Sequence, residues 1–174
     1  FSTSEHGDIF SFLMKVKGLS YPESIEHLAR QAGLDPEKGR VTDFINKDDA
    51  KNIRLKNILE DAKIFFRENI KKYALPNNYL EKRQVDIKVT EKFEIGFIGN
   101  KNNELYLFLK NRGHNISDVI LLGLVKKSKY KEDEYYDFFR NRLIFPIKNY
   151  KSEVIAFGGR SLDNSEIKYI NSSD

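Results

Sequence analysis

Two apolar runs near the carboxyl end, Leu143-Ile144-Phe145-Pro146-Ile147 and Val154-Ile155-Ala156-Phe157, place the firmest limit on the fold of this chain. Each is too short for a core helix and rich in β-branched and aromatic residues. The polar segment 148–153 between them has hairpin length, so the pair reads as two antiparallel strands. Pro146 has no N–H to give to a ladder and belongs at an edge or a bulge. An all-helical fold is thereby excluded.

Most of the chain before these runs has helical spacing. Asp8 can cap a helix carrying Ile9, Phe10, Phe12, Leu13 and Val16, with Gly18 ending it. Ser20 and Glu23 form a capping box, with Pro22 tolerated in the first turn. The second helix aligns Ile25, Leu28, Ala29 and Ala32 and stops at Gly33. Residues 35–47 are polar, hold Pro36 and Gly39, and read as a linker. A longer helix is predicted over 48–73 from Ile58, Leu59, Ala62, Phe65, Phe66 and Ile70, with Pro76-Asn77-Asn78 as a break. Short helices follow at 79–83, after a cap at Asp86, at 105–109, and from Ser117 to Leu122, with a strand at 95–98. The charged stretch 126–137 reads as a loop. The fold class is α+β: a helical amino-terminal part, then a mixed lobe with a small antiparallel sheet near the carboxyl end.

Composition narrows the function. The 174 residues are 40% apolar and 32% charged, enough to build a core and too apolar for wholesale disorder. No run approaches the roughly 20 apolar residues of a membrane-spanning helix, and no secretory signal is visible. The chain opens at Phe1, so an upstream segment is expected. With no cysteine there are no disulfides, thiolate zinc sites or cysteine nucleophiles in these residues. A net charge of +4, a pI near 9.0, 13 Phe and 9 Tyr point mildly to a polyanionic partner.

The basic residues concentrate late. Residues 126–151 hold 8 basic and 4 acidic side chains, and Arg140, Arg142, Lys148, Arg160 and Lys168 lie among Tyr136, Phe138, Phe139 and Tyr169. Guanidinium groups chelate phosphate oxygens and aromatic faces stack bases. The same residues also fit an ordinary sheet with a solvated charged face, and residue types alone leave both readings open. Gly158-Gly159-Arg160 fits a bulge or turn, or a close backbone approach that presents Arg160 to a phosphate. Asp163 and Glu166, beside Asn164 and Ser165, read as turn chemistry rather than a metal site. His6, His27 and His114 have no metal or triad spacing, and none is assigned a catalytic role.

Three blocks resemble bacterial DNA primases of the DnaG type. The first runs from His6-Gly7-Asp8-Ile9-Phe10 through Gly18-Leu19-Ser20-Tyr21-Pro22-Glu23 to Leu28-Ala29 and is similar to the end of that family's zinc-binding domain. The second, Tyr79-Leu80-Glu81-Lys82-Arg83 with Phe93-Glu94-Ile95-Gly96-Phe97, is similar to the opening of its RNA polymerase core. The third joins Arg140-Asn141-Arg142-Leu143-Ile144-Phe145-Pro146-Ile147, Gly158-Gly159-Arg160 and Lys168-Tyr169-Ile170-Asn171-Ser172, and is the most specific. The blocks occur in family order over essentially the whole chain.

The resemblance implies synthesis of short RNA primers on single-stranded DNA from ribonucleoside triphosphates. It implies a division into residues 1–34, the end of the zinc-binding domain, a linker at 35–47, and the amino-terminal lobe of the core at 48–174. It implies template- or nucleotide-binding roles for Arg83, Arg160, Lys168 and Asn171, with Arg140 and Arg142 beside them. Fixed cations there would offset converging phosphate charge. Magnesium is expected on acidic residues of a Toprim lobe beyond Asp174, so no catalytic or metal-binding residue is assigned here and this fragment alone is expected to be inactive. The family's zinc implies a last ligand at the position of Thr3, and a threonine hydroxyl is a poor zinc ligand. The implied partners are the template strand, the RNA primer, ribonucleoside triphosphates and a replicative helicase reached through a carboxyl-terminal domain outside this chain, with no membrane. The implied location is the bacterial cytoplasm, at the nucleoid. The competing reading is a non-catalytic module that binds single-stranded nucleic acid.

Overall fold

The computed structural model describes residues 8–33, 42–163 and 167–172, with the backbone alone over 42–49. The chain divides into two compact units, Phe1–Ile53 with Asn149–Lys151, and Arg54–Lys148 with Ser152–Asp174. Among the described residues there are seven helices: α1 (Ile9–Lys17), α2 (Tyr21–Gln31), α3 (Thr42–Ile70), α4 (Ala74–Lys82), α5 (Ile87–Lys92), α6 (Glu104–Asn111) and α7 (Ile116–Leu121). The strands are β1 (Gly96–Ile98), β2 (Val125–Lys127), β3 (Tyr135–Asp137), β4 (Arg142–Lys148), β5 (Val154–Ser161) and β6 (Tyr169–Asn171). The α+β class holds, and no helix among the described residues is long and apolar enough to cross a membrane.

In the first unit the caps behave as their residue types dictate. Asp8 accepts from the Ser11 amide at 2.8 Å, and Gly18, at φ 60°, closes α1 in the left-handed region. Ser20 and Glu23 form the reciprocal capping box on α2. The rings of Phe10 and Tyr21 lie 5.5 Å apart and join the two helices. Residues 34–41 lie outside the described residues, and 42–47 of the expected linker open α3 instead.

The second unit is built on α3. Ile58, Leu59, Ala62, Phe65, Phe66 and Ile70 are all buried, so the apolar stripe read from the sequence is the core-facing stripe. The helix ends at Ile70, three residues before its predicted limit. Pro76-Asn77-Asn78 does not break a helix. It lies within α4, with Pro76 in the first turn, where the missing proline N–H costs nothing, and the Asn77 side chain donates to the Tyr73 carbonyl at 3.1 Å. The cap at Asp86 forms as expected, whereas α7 starts from Asn115 rather than Ser117.

The main sheet has the order β1-β4-β5-β6, antiparallel throughout. The predicted hairpin is β4–β5. β1 pairs only with residues 142–144, so Pro146 sits where β4 has a free edge, just before a register shift at Ile147/Lys148. One sheet face packs on Phe66, Phe139 and Phe157, and Phe66 meets the other two rings edge-on at 6.3 and 5.2 Å. The other face packs Phe97 and Leu143 against Leu80 of α4.

Two sequence expectations fail here for physical reasons. Gly158 and Gly159 form neither a bulge nor a turn: both are regular ladder positions in β5. A Cβ on Gly159 would lie 2.5 Å from the Phe139 ring, so the glycine lets the strand cross that ring. The stretch 126–137 is not wholly loop, since its ends form the β2–β3 pair. Tyr135 stacks on Tyr106 at 5.1 Å, and Lys126 covers the Phe138 ring at 4.4 Å, which offsets the absence of an apolar strand pattern.

Candidate nucleic-acid interface

Tyr79 and Arg83 stand four residues apart at the carboxyl end of α4, so they share one helix face. The Arg83 guanidinium lies 5.5 Å from the centroid of the Tyr79 ring. Arg160 reaches the same ring from the sheet, at 4.7 Å, and also lies 5.7 Å from the Tyr169 ring. The register explains this convergence: β4 Leu143, β5 Arg160 and β6 Tyr169 are successive cross-strand partners and share one pleat face, the one covered by α4. Aromatic rings hold guanidinium groups without consuming their N–H donors.

Asn171 faces Gly158 across the β5–β6 ladder, two residues beyond Tyr169, and is on the same pleat face as Arg160. A Cβ on Gly158 would lie 3.3 Å from Asn171 Oδ1, so this glycine makes room for the asparagine side chain. Lys168 belongs to the opposite pleat. Its carbonyl accepts from the Ser161 amide at 2.8 Å, which pairs it with Ser161 rather than Arg160. It is exposed at the entry to β6.

Arg142 is buried, and its guanidinium is committed to the backbone. Nη2 donates to the Ile167 carbonyl at 2.9 Å, and Nη1 to the Lys168 and Gly159 carbonyls at 3.1 and 3.4 Å. Burial lowers its pKa, against the opposing pull of Asp163. The structure therefore places Arg142 as the clamp that holds the Lys168 segment on the sheet. Arg140 is exposed but elsewhere: it donates to Asn102 Oδ1 at 3.3 Å and lies 5.9 Å from the Tyr136 ring, in an open groove of about 710 Å³ that also includes Lys101 and Tyr135.

Tyr79 has no role in the sequence analysis, and its spacing from Arg83 on a helix is the signal that points to it. The pairing of Tyr169 with Arg160 needed the register of β6, a strand that the composition did not reveal. His114 Nε2 meets Asp61 Oδ2 at 2.7 Å, and Arg112 Nη1 meets Asp61 Oδ1 at 2.5 Å, a tertiary cluster between α3 and the α6–α7 turn that sequence spacing could not show. His27 Nε2 lies 2.9 Å from Lys17 Nζ. Asp163 accepts from Asn141 Nδ2 at 3.2 Å and bonds Ser161 Oγ, as turn chemistry requires. Thr3, His6 and Glu166 lie outside the described residues. Among the described residues no group of three His, Cys, Asp or Glu side chains is placed to hold a metal ion.

The fold places the chain in the class of DnaG RNA polymerase domains. A DnaG primase catalytic domain bound to single-stranded DNA superposes with a TM-score of 0.65 at 29% identity, over 72% of this chain and 40% of that one. The zinc-binding and RNA polymerase domains of Aquifex aeolicus primase superpose with a TM-score of 0.65 at 29% identity, over 97% of this chain and 39% of that one. Residues 65–174 match the family model of the DNA primase catalytic core, N-terminal domain. The DNA primase of Clostridium acetobutylicum is 33% identical over all of this chain and 28% of its own length, and that of Rickettsia prowazekii 35% identical over 99% and 28%. The chain belongs to the DNA primase family, and it spans under a third of the length of these relatives.

Proposed function

We propose that this chain supplies the template- and nucleotide-binding lobe of an enzyme that makes short RNA primers on single-stranded DNA from ribonucleoside triphosphates. The observation that carries the reading is the pair of guanidinium groups, Arg83 and Arg160, mounted on the single ring of Tyr79. Two cations held against one ring suit successive phosphates of a strand or the phosphates of one nucleotide. Asn171 extends the same face as a neutral donor and acceptor. Lys168 approaches phosphate from the strand end, and Arg140 serves a separate stretch of backbone along its own groove. Arg142 acts through the segment it clamps.

The magnesium implied by the family does not fit these residues, because the described side chains offer no ligand group of three. The zinc position at Thr3 lies outside the described residues. The chain's own contribution is binding and orientation in the compartment of the bacterial chromosome, beside a partner helicase and the nascent primer.

A fluorescence-anisotropy titration of the chain with a labelled oligothymidylate tests the reading. Binding should weaken steeply with added salt, and Arg83→Ala or Arg160→Ala should each lower affinity about tenfold with thermal unfolding unchanged. In the longer protein that carries this lobe, Arg83→Ala should abolish primer synthesis. Wild-type affinity and priming in both variants would remove the pair from the interface. The second reading, a non-catalytic binding module, is favoured by the same lack of a metal-ligating group of three among the described residues. It predicts the same binding with no nucleotide incorporation by the longer protein.

A further inference from the structure

Next to the arginine pair, between α4, α5 and the sheet, lies a cavity of about 390 Å³ that phosphate binding leaves unused. Leu80 and Leu143 are buried within its lining, while Val89 and Phe93 are 39% and 59% exposed along it. Arg83 and Arg160 complete the lining, and none of its described residues is acidic. Two buried polar atoms of the lining residues, Tyr79 Oη and Arg160 Nε, have no hydrogen-bond partner. Buried donors are normally satisfied, so an unpaired couple at a cavity marks a place where a ligand or water completes the bonding.

We propose that this cavity accepts one unstacked nucleobase whose own phosphate lies on Arg83 and Arg160. The inference rests on the phosphate-binding reading above and adds the group that the neighbouring space receives. The chemistry is complementary part by part. The apolar walls and the exposed Phe93 ring take the flat face of a base, and the guanidinium groups take the phosphate. The hydroxyl of Tyr79 and Nε–H of Arg160 supply hydrogen bonds to a base edge or its sugar. An apolar peptide segment in the same place would leave both polar atoms unpaired and set two arginines against a surface without counter-charge. The volume lies at the small end of the range for ligand pockets, suited to a compact group. The base has two possible sources, the template strand or an incoming ribonucleoside triphosphate.

Three probes separate the cases: a short labelled oligothymidylate, an abasic oligonucleotide of equal length, and GTP. The parent chain should bind the oligothymidylate about tenfold more tightly than the abasic strand. Val89→Trp fills the cavity from an exposed position. It should remove most of that margin while leaving abasic affinity unchanged, whereas Arg83→Ala should weaken both strands. If GTP binding falls in Val89→Trp and the strand margin persists, the cavity serves the nucleotide; the reverse assigns it to the strand. An unchanged margin together with unchanged GTP affinity overturns the proposal and leaves the phosphate reading standing. Failure of the parent to bind either strand or GTP overturns the phosphate reading itself. Should Val89→Trp lower the unfolding temperature, Phe93→Ala, which removes an exposed aromatic wall, must shrink the same margins, and unchanged margins there overturn the cavity.

Discussion

The guanidinium of Arg160, on the third strand of the sheet, lies 4.7 Å from the ring centroid of Tyr79, on a helix 81 positions earlier in the chain. This contact makes one surface out of two sequence blocks, because the same ring also carries Arg83. A planar, delocalised cation stacks on an aromatic face in a way that an ammonium on a flexible stem does not reproduce. Arg160→Lys should therefore bind single-stranded DNA several-fold more weakly than the parent although the formal charge is kept. Full affinity in Arg160→Lys, measured by anisotropy at matched salt, would show that charge alone matters and stacking does not.

Arg142 should behave differently from its neighbours. Removal of its guanidinium takes one donor each from the carbonyls of Ile167, Lys168 and Gly159 and leaves a void where the side chain is buried. Arg142→Ala should cost about 3 kcal/mol of unfolding free energy in urea, from lost packing and lost hydrogen bonds together. An unfolding midpoint equal to that of the parent would show that the clamp is not structural.

Asp137 is fully buried and accepts from the amides of Leu105 and Tyr106, both at 2.9 Å, so it caps the start of α6 from a different part of the chain. Burial raises its pKa from 3.8 to about 6 in spite of those two bonds. A carboxyl with a raised folded pKa binds its proton more tightly folded than unfolded, so its contribution to stability falls as pH climbs from 3.8 toward 6. The contribution of this group should decline by about 3 kcal/mol across that window. Asp137→Asn removes the titration, and the difference in stability between parent and variant should change with pH by that amount. A difference independent of pH would assign Asp137 an ordinary carboxylate pKa.

Glu94 titrates with the opposite sign. Burial alone would raise its pKa, but the hydrogen bond from Lys148 and the charges of Lys63 and Arg67 outweigh burial and lower it. A lowered folded pKa gives stability that is present above the unfolded value of 4.5 and is lost as pH falls through the folded pKa. Because Lys63 and Arg67 sit on α3 and Lys148 on β4, Glu94→Gln should cost about 1 kcal/mol at neutral pH and nothing in strong acid. Thermal melts at both extremes check this, and an equal cost at both would point to packing instead of charge.

Gly159→Ala gives a test of the sheet. The added methyl would stand 2.5 Å from the Phe139 ring and 3.2 Å from Arg142 Cδ. Overpacking of this kind costs about 1–3 kcal/mol, and its displacement of Arg142 should weaken DNA binding as well. A stable variant with unaltered binding would mean that the ring moves aside freely.

The sequence by itself determined the local features. Caps at Asp8, Ser20 and Asp86, the buried stripe of α3 and the β4–β5 hairpin each depend on residues within a few positions of one another, where side-chain type and spacing suffice. The basic positions were also legible, because a series of charged and glycine residues in fixed order carries family resemblance. The tertiary structure alone decided where each of them sits. Arg140, Arg142 and Arg160 look equivalent in sequence, yet one lines an open groove before β4 begins, one is buried against carbonyls and one is stacked on a tyrosine, since strand register sends Arg142 and Arg160 to opposite faces. Strand β6, the β2–β3 pair and the Tyr79 platform were hidden for the same reason. Their stability comes from partners tens of residues away, and no local pattern encodes a contact whose other half lies elsewhere in the chain.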